Sequence, residues 1–300
     1  MERATCMRAA AILAALSSTC VFAQGFTRPD QGKLTATGGV TQIEGAGGGG
    51  LTPWALITGY GSRDSYGGNA HYTFVDLSDY SLGTYGIAAG FYDRFEVSVA
   101  SWRFKGTDGA LDGVKIEQDV VGLKLRVAGD AVYGQDTWLP QVALGVQFKR
   151  NKGITGLEAL GVSKPTDLGA KDNDGTDYYV AATKVFLDQS LLANVTARFT
   201  KANQFGLLGF GGDREDKYKL RFEGSVAYLV TRKLAVGAEY RAKPHNLGVD
   251  DEGSAKDVFI AWFPTKNFSV TAAYVDLGTI VKPFVPGKQR GAYLSGQIGF

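Results

Sequence analysis

The chain has 300 residues, with 32 Lys and Arg against 30 Asp and Glu; a formal net charge of +2 does not point to a nucleic-acid partner. Glycine is abundant at 41 residues, proline is scarce at 8, and aromatics make up 12%, a balance that suits closely packed, bending strands. No apolar run approaches the roughly 18 residues of a membrane helix, which excludes a helical membrane protein but not a barrel of half-apolar strands.

Arg3 and Arg8, the apolar run 9–16 and Val21-Phe22-Ala23 read as a signal peptide cut after Ala23, leaving 24–300 as one domain. Both cysteines, Cys6 and Cys20, fall in that leader, so the mature chain is expected to hold no disulfide and no thiolate metal site. Residues 33–43 read as a first strand, and the glycine-rich run 45–50 as a flexible connection. That run is not a phosphate loop, because no Gly-Lys-Ser/Thr follows it. A second strand is expected from Pro53-Trp54 to about Tyr60, and a third over 70–76.

From there the alternation is clearer. In 85–92, Tyr85, Ile87, Ala89 and Phe91 take one face and Gly86, Ala88 and Gly90 the other. Strands follow over 95–104, about 121–127 and 138–149. The interruption 151–174 is the longest, and long loops commonly carry function or disorder. Further strands are expected over 178–186, 193–201, 217–230, 234–241, 258–263 and 268–277. Two of these, 178–186 and 258–263, have no clear phase. The last ten residues place Ala292, Leu294, Gly296, Ile298 and Phe300 on one face, and the chain stops there.

The sum is about 14 strands, all-β. Tight turns at Asp93-Arg94, Leu187-Asp-Gln-Ser190, Thr231-Arg-Lys233 and Pro264-Thr-Lys-Asn267 alternate with long polar loops. Short periplasmic turns and longer external loops are the pattern of a transmembrane antiparallel up-and-down β-barrel in the bacterial outer membrane. A count of 12 holds instead if the glycine-rich start lies inside the barrel. A terminal Phe after alternating apolar residues resembles the assembly signal of such barrels, so Leu294, Ile298 and Phe300 are expected to engage the barrel-assembly machinery.

Certain residues extend the likeness. Gly47-Gly-Gly-Gly-Leu51-Thr-Pro-Trp54-Ala, Tyr85-Gly-Ile-Ala-Ala-Gly-Phe91-Tyr-Asp93-Arg94-Phe-Glu96-Val-Ser98, Gln118-Asp119-Val-Val-Gly-Leu-Lys124 and Trp138-Leu-Pro140-Gln141 resemble the proteobacterial domain-of-unknown-function 3034 family, whose members are taken to be outer-membrane β-barrels. The similarity runs over most of the mature chain. It implies the architecture and supplies no activity or catalytic residue.

Period two sends a set of charges inward: Glu96, Lys124, Arg126, Lys149, Arg198, Lys217, Lys219, Arg221, Glu223, Glu239 and Arg241. Facing lipid, each Lys or Arg would cost about 2–4 kcal/mol at the midplane, which fixes the phase of those strands. Basic residues outnumber acidic ones in this set. The leading expectation is therefore a porin-like passive channel for small polar or anionic solutes. The alternative is a closed barrel, its lumen charges paired, with a structural or surface-interaction role. A barrel enzyme built on His71 or His245 ranks third, and no catalysis is expected. Asp172-Asn-Asp174-Gly175 resembles part of a calcium loop, but Ala170 and Ala181 stand at two ligand positions. Neither metal nor cofactor is expected. The expected partners are outer-membrane lipid, the assembly machinery and small solutes; no residue marks an oligomer interface.

Overall fold

The computed structural model describes residues 32–282, 285 and 287–300. The expected leader and its cut after Ala23 lie outside the described residues. Among the described residues, twelve antiparallel strands close into one barrel, each paired with its neighbours in sequence and the last with the first. They are β1 (Tyr66–Leu77), β2 (Tyr80–Phe91), β3 (Phe95–Gly106), β4 (Lys115–Ala128), β5 (Gln141–Thr155), β6 (Asp174–Phe186), β7 (Leu191–Thr200), β8 (Lys219–Thr231), β9 (Leu234–Arg241), β10 (Ala255–Thr265), β11 (Phe268–Thr279) and β12 (Lys288–Gly299).

The expected parity of connections holds. Turns 92–94, 187–190, 232–233 and 266–267 lie at one end with the longer 129–140, and the opposite end carries 107–114, 156–173, 201–218, 242–254 and 280–287. The single short connection at that second end is 78–79. The short-turn end is the periplasmic one.

The wall exterior is what a bilayer requires. Val97 and Val99, Leu123, Val226 and Tyr228, Ile260 and Leu294 all point outward and are exposed. Following the same faces outward from the periplasm, the apolar residues give way to charge: Arg103, Glu117, Asp119, Arg150 and Arg290. These pair laterally, as in Lys152–Asp119 at 2.7 Å and Arg290–Asp276 at 2.9 Å. A closed wall satisfies its own backbone groups, and a belt of hydrocarbon beneath a charged collar matches membrane and interface. The protein is a bacterial outer-membrane β-barrel.

The count of 14 strands is corrected to 12, because 33–43 and 53–60 are not wall strands. Every residue from 38 to 61 is buried, whereas a wall strand must give alternate residues to lipid. This segment lies inside the barrel. It enters at the periplasmic end, where Lys33 pairs with Asp93 of the β2–β3 turn at 2.8 Å. It returns there too, where Tyr60 donates its backbone N–H to the Phe300 carbonyl at 2.9 Å. Its own ladder is only Val40–Thr41 against Gly47–Gly48.

Candidate functional site

The glycine run, expected to be a flexible connection, is instead packed against wall carboxylates. A β-carbon at Gly49 would collide with the Glu239 carboxylate, and one at Gly48 with the Thr52 carbonyl. Without side chains, the plug backbone comes close enough to donate directly to the wall. Gly47 N and Thr58 N each donate to Glu96 at 2.9 Å. Leu51 N donates to Glu239 at 2.7 Å, as does the Thr52 hydroxyl at 2.8 Å. Lys124, directly opposite Glu96 across the β3–β4 pair, bonds to Glu96 at 3.0 Å and donates to the plug carbonyls of Gly47 and Leu56 at 2.8 and 2.9 Å.

Glu44 carries the densest charge contact. Arg241 grips it with two guanidinium nitrogens at 2.8 and 3.1 Å, Lys149 bonds it closely, and Arg198 lies 3.7 Å away. The three bases also meet wall acids: Arg198–Glu223 at 2.5 Å, Arg241–Glu223 at 3.2 Å and Lys149–Asp177 at 2.7 Å. Glu44, Asp177 and Glu223 thus balance Lys149, Arg198 and Arg241, all deeply buried. Arg126 joins the periplasmic rim, bonding Asp93 closely and Asp130 at 3.0 Å.

Eight of the eleven candidate lumen charges therefore sit in the plugged lumen or at its rim: Glu96, Lys124, Arg126, Lys149, Arg198, Glu223, Glu239 and Arg241. The other three lie toward the outer mouth. Lys217, expected inward in a strand over 217–230, is instead exposed and precedes β8; Tyr218 beside it is held in the 201–218 connection by stacking on Phe199 at 5.2 Å. Lys219 pairs with Glu215 at 2.5 Å, and Arg221 is half-buried. The sequence reading missed Glu44, Asp177 and Asp257. The last two stand one residue before the two segments of unclear phase, which begin earlier than expected. Their inward positions remove much of the basic excess. Leu294, Ile298 and Phe300 face outward and are exposed. His71 is buried with no hydrogen-bond partner on either ring nitrogen, and His245 lies in the 242–254 connection against Arg214. No group of three or more metal-ligating side chains occurs among the described residues.

Above the plug the chemistry changes. Ile43 and Leu51 at its tip join an apolar cluster that fills the outer mouth. Within the mouth is a cavity of about 220 Å³, walled by the outer ends of β1–β5 and β11, by connections 107–114, 156–173 and 201–218, and by Ile280 and Val281 after β11. Phe205 divides the two zones. Its ring lies 6.0 Å from that of Trp102 in the cavity wall, while Arg241 and Lys243 approach it at 4.5 and 5.1 Å.

Gln204 and Phe205 both have positive φ, 45° and 63°, a conformation that costs a non-glycine residue on the order of 1–3 kcal/mol. Neighbours hold them there. Gln204 donates its amide to Asp250 at 2.9 Å and accepts from Lys243 at 2.6 Å, and its backbone N–H reaches Glu252 at 2.7 Å. Burial pushes the Glu252 carboxyl up to about 8. It also raises Asp250 and lowers Lys243, despite their mutual attraction.

The sequence matches, over residues 37–297, the family described as protein of unknown function (DUF3034), and the chain belongs to that family. None of the curated proteins matches it. Among solved structures it is similar to the KdgM porin, at 10% identity and a TM-score of 0.47, covering 77% of this chain and 99% of that one. It is similar to Omp33 of Acinetobacter baumannii at 12% identity and 0.41, covering 78% and 97%. Outer membrane phospholipase A from Escherichia coli is similar at 7% identity and 0.42, covering 81% and 94%.

Proposed function

We propose that the protein is a porin-like barrel held shut at rest by its own N-terminal segment, acting through its outer mouth rather than as a passive open channel. The observation that carries this reading is the unbroken burial of residues 38–61 inside the wall. Conductance in planar bilayers tests it. The wild type should be silent or nearly so, and Glu44→Gln should conduct; steady large conductance in the wild type would reject closure.

A second reading, favoured by Lys149, Arg198 and Arg241 around Glu44, is gated passage of small polar or anionic solutes. With the plug displaced, those three bases face two wall acids, Asp177 and Glu223, and a charged ring in a narrow passage concentrates the opposite ion. Reversal potentials in a salt gradient should then show anion preference in Glu44→Gln; cation preference would sink this reading.

We propose no catalytic role for the barrel. Insertion through the barrel-assembly machinery, directed by Leu294, Ile298 and Phe300, belongs to the same proposal. Deleting Phe300 should lower the outer-membrane level at ordinary expression.

A further inference from the structure

We propose that the outer-mouth cavity is a binding site for a small, neutral, lipophilic molecule arriving from outside the cell. Native interiors are close-packed and seldom keep voids larger than a water molecule, so about 220 Å³ is more space than packing accounts for. The wall is hydrocarbon almost throughout, including Phe104, Leu208 and Val281. Such a space does not hold water well, because a buried water needs two to four polar partners. It also offers nothing to a charged ligand, whose desolvation would go uncompensated.

Size narrows the class further. An apolar cavity of about 150 Å³ accommodates benzene, so this one suits a molecule of roughly ten non-hydrogen atoms. The way in lies at the 156–173 connection, where the lining residue Leu160 is 69% exposed. The twelve-stranded wall is closed, which separates the cavity from the bilayer and favours a free molecule over a lipid acyl chain. The floor has one ligand-facing element of its own. Phe205 is fixed in a left-handed backbone conformation, with Arg241 and Lys243 against its ring, and shields the cavity from the charged lumen below.

The test uses the full barrel in lipid nanodiscs, with n-butylbenzene as the probe and Trp102 as the reporter. Binding should give a saturable change in tryptophan emission, absent in a Trp102→Phe variant, above the linear partition seen with empty discs. The 4-butylbenzoate anion should give at least tenfold weaker binding. Leu208→Trp and, separately, Ile116→Phe fill the space by different routes. Either one, if folded by its gel shift on heating, should abolish saturation. In Leu208→Trp, which adds an indole, binding is read by isotopic-label retention. Linear partition alone in the wild type, equal binding of the anion, or unchanged saturation in the folded filling variants would each overturn the proposal. A labelled phospholipid competing as well as n-butylbenzene would overturn the assignment to a free molecule.

Discussion

Below Phe205 the lumen carries a buried charge network, and above it the lining is hydrocarbon. In the lower zone the plug carboxylate of Glu44 meets three wall bases, and the glycine run brings backbone within bonding distance of Glu96 and Glu239. In the upper zone the side chains are as buried, yet a cavity remains. Directional contacts in a low-dielectric space specify one arrangement strongly and leave little room to move. Hydrocarbon packing specifies less and tolerates a guest. The two halves of one lumen therefore differ in what a substitution should do.

The largest effect is expected at Glu44. Glu44→Gln leaves Lys149, Arg198 and Arg241 short of one counter-charge in a buried network, and breaking such a network from one side costs about 3–5 kcal/mol. Unfolding of the bilayer-inserted protein in denaturant should show the loss. If the variant is as stable as wild type, the plug is not what balances the wall.

Next comes the wall itself. Val226 is 53% exposed to lipid, and its neighbour Ser225 is 3% exposed, bonded to Glu239 at 2.7 Å and to the Trp54 indole at 2.9 Å. Val226→Arg should destabilise by about 2–4 kcal/mol near the midplane, while Val226→Leu stays near neutral. Ser225→Arg, which an empty lumen would accept, should disrupt the plug. The same unfolding assay on the three variants separates an open lumen from a filled one.

Gly49→Ala is expected to fall below these. The added methyl has nowhere to go but into the Glu239 carboxylate, and forcing atoms into a packed site costs about 1–3 kcal/mol. Loss of stability together with a small leak current would locate the tension at the plug. Gly287→Ala, in the connection between β11 and β12 with open space around its α-carbon, is the matched control.

How far these features were legible in the sequence follows from what each depends on. Alternation in β4, β5 and β8 is a local property, so phases and inward charges such as Lys124, Lys149 and Glu223 could be read directly. Turn parity depends only on spacing, and gave the closed barrel. The plug could not be separated from strands by pattern alone, because its burial comes from being enclosed by residues far away in the chain. Residues 53–60 even offer lipid an acceptable face in Trp54, Leu56 and Tyr60, and only Gln42 and Glu44, on one parity of the earlier segment, hint at a buried polar setting. Tyr80–Thr84 of β2 was missed because Ser78-Asp79 closes the external end with two residues where a long loop was expected. The cavity had no local signature at all. Its walls come from six strands and four connections, each apolar residue being an ordinary one in its own segment.

The smallest expected effect is a pH response confined to the boundary between the two zones. Glu252 is buried against Lys243 and near Asp250 and Arg241, and burial holds its carboxyl up at about 8 against an ordinary value of 4.5. An acid raised on folding contributes stability that is complete below its ordinary value and is lost as the pH rises through the raised one. Each unit of difference corresponds to about 1.4 kcal/mol. Lys243 shifts downward under the same burial, which offsets part of the loss, so the net change between pH 6 and pH 9 should be on the order of one unit, about tenfold in local opening. The backbone N–H of Gln204, which Glu252 accepts at 2.7 Å, is the direct reporter. Its hydrogen exchange, corrected for the intrinsic pH dependence, should quicken by that factor in wild type and by much less in Glu252→Gln, while amides bonded within β8 stay unchanged. Equal acceleration in both proteins would mean that Glu252 does not hold the Gln204–Phe205 turn, and that the floor of the cavity is fixed by Asp250 and Lys243 alone.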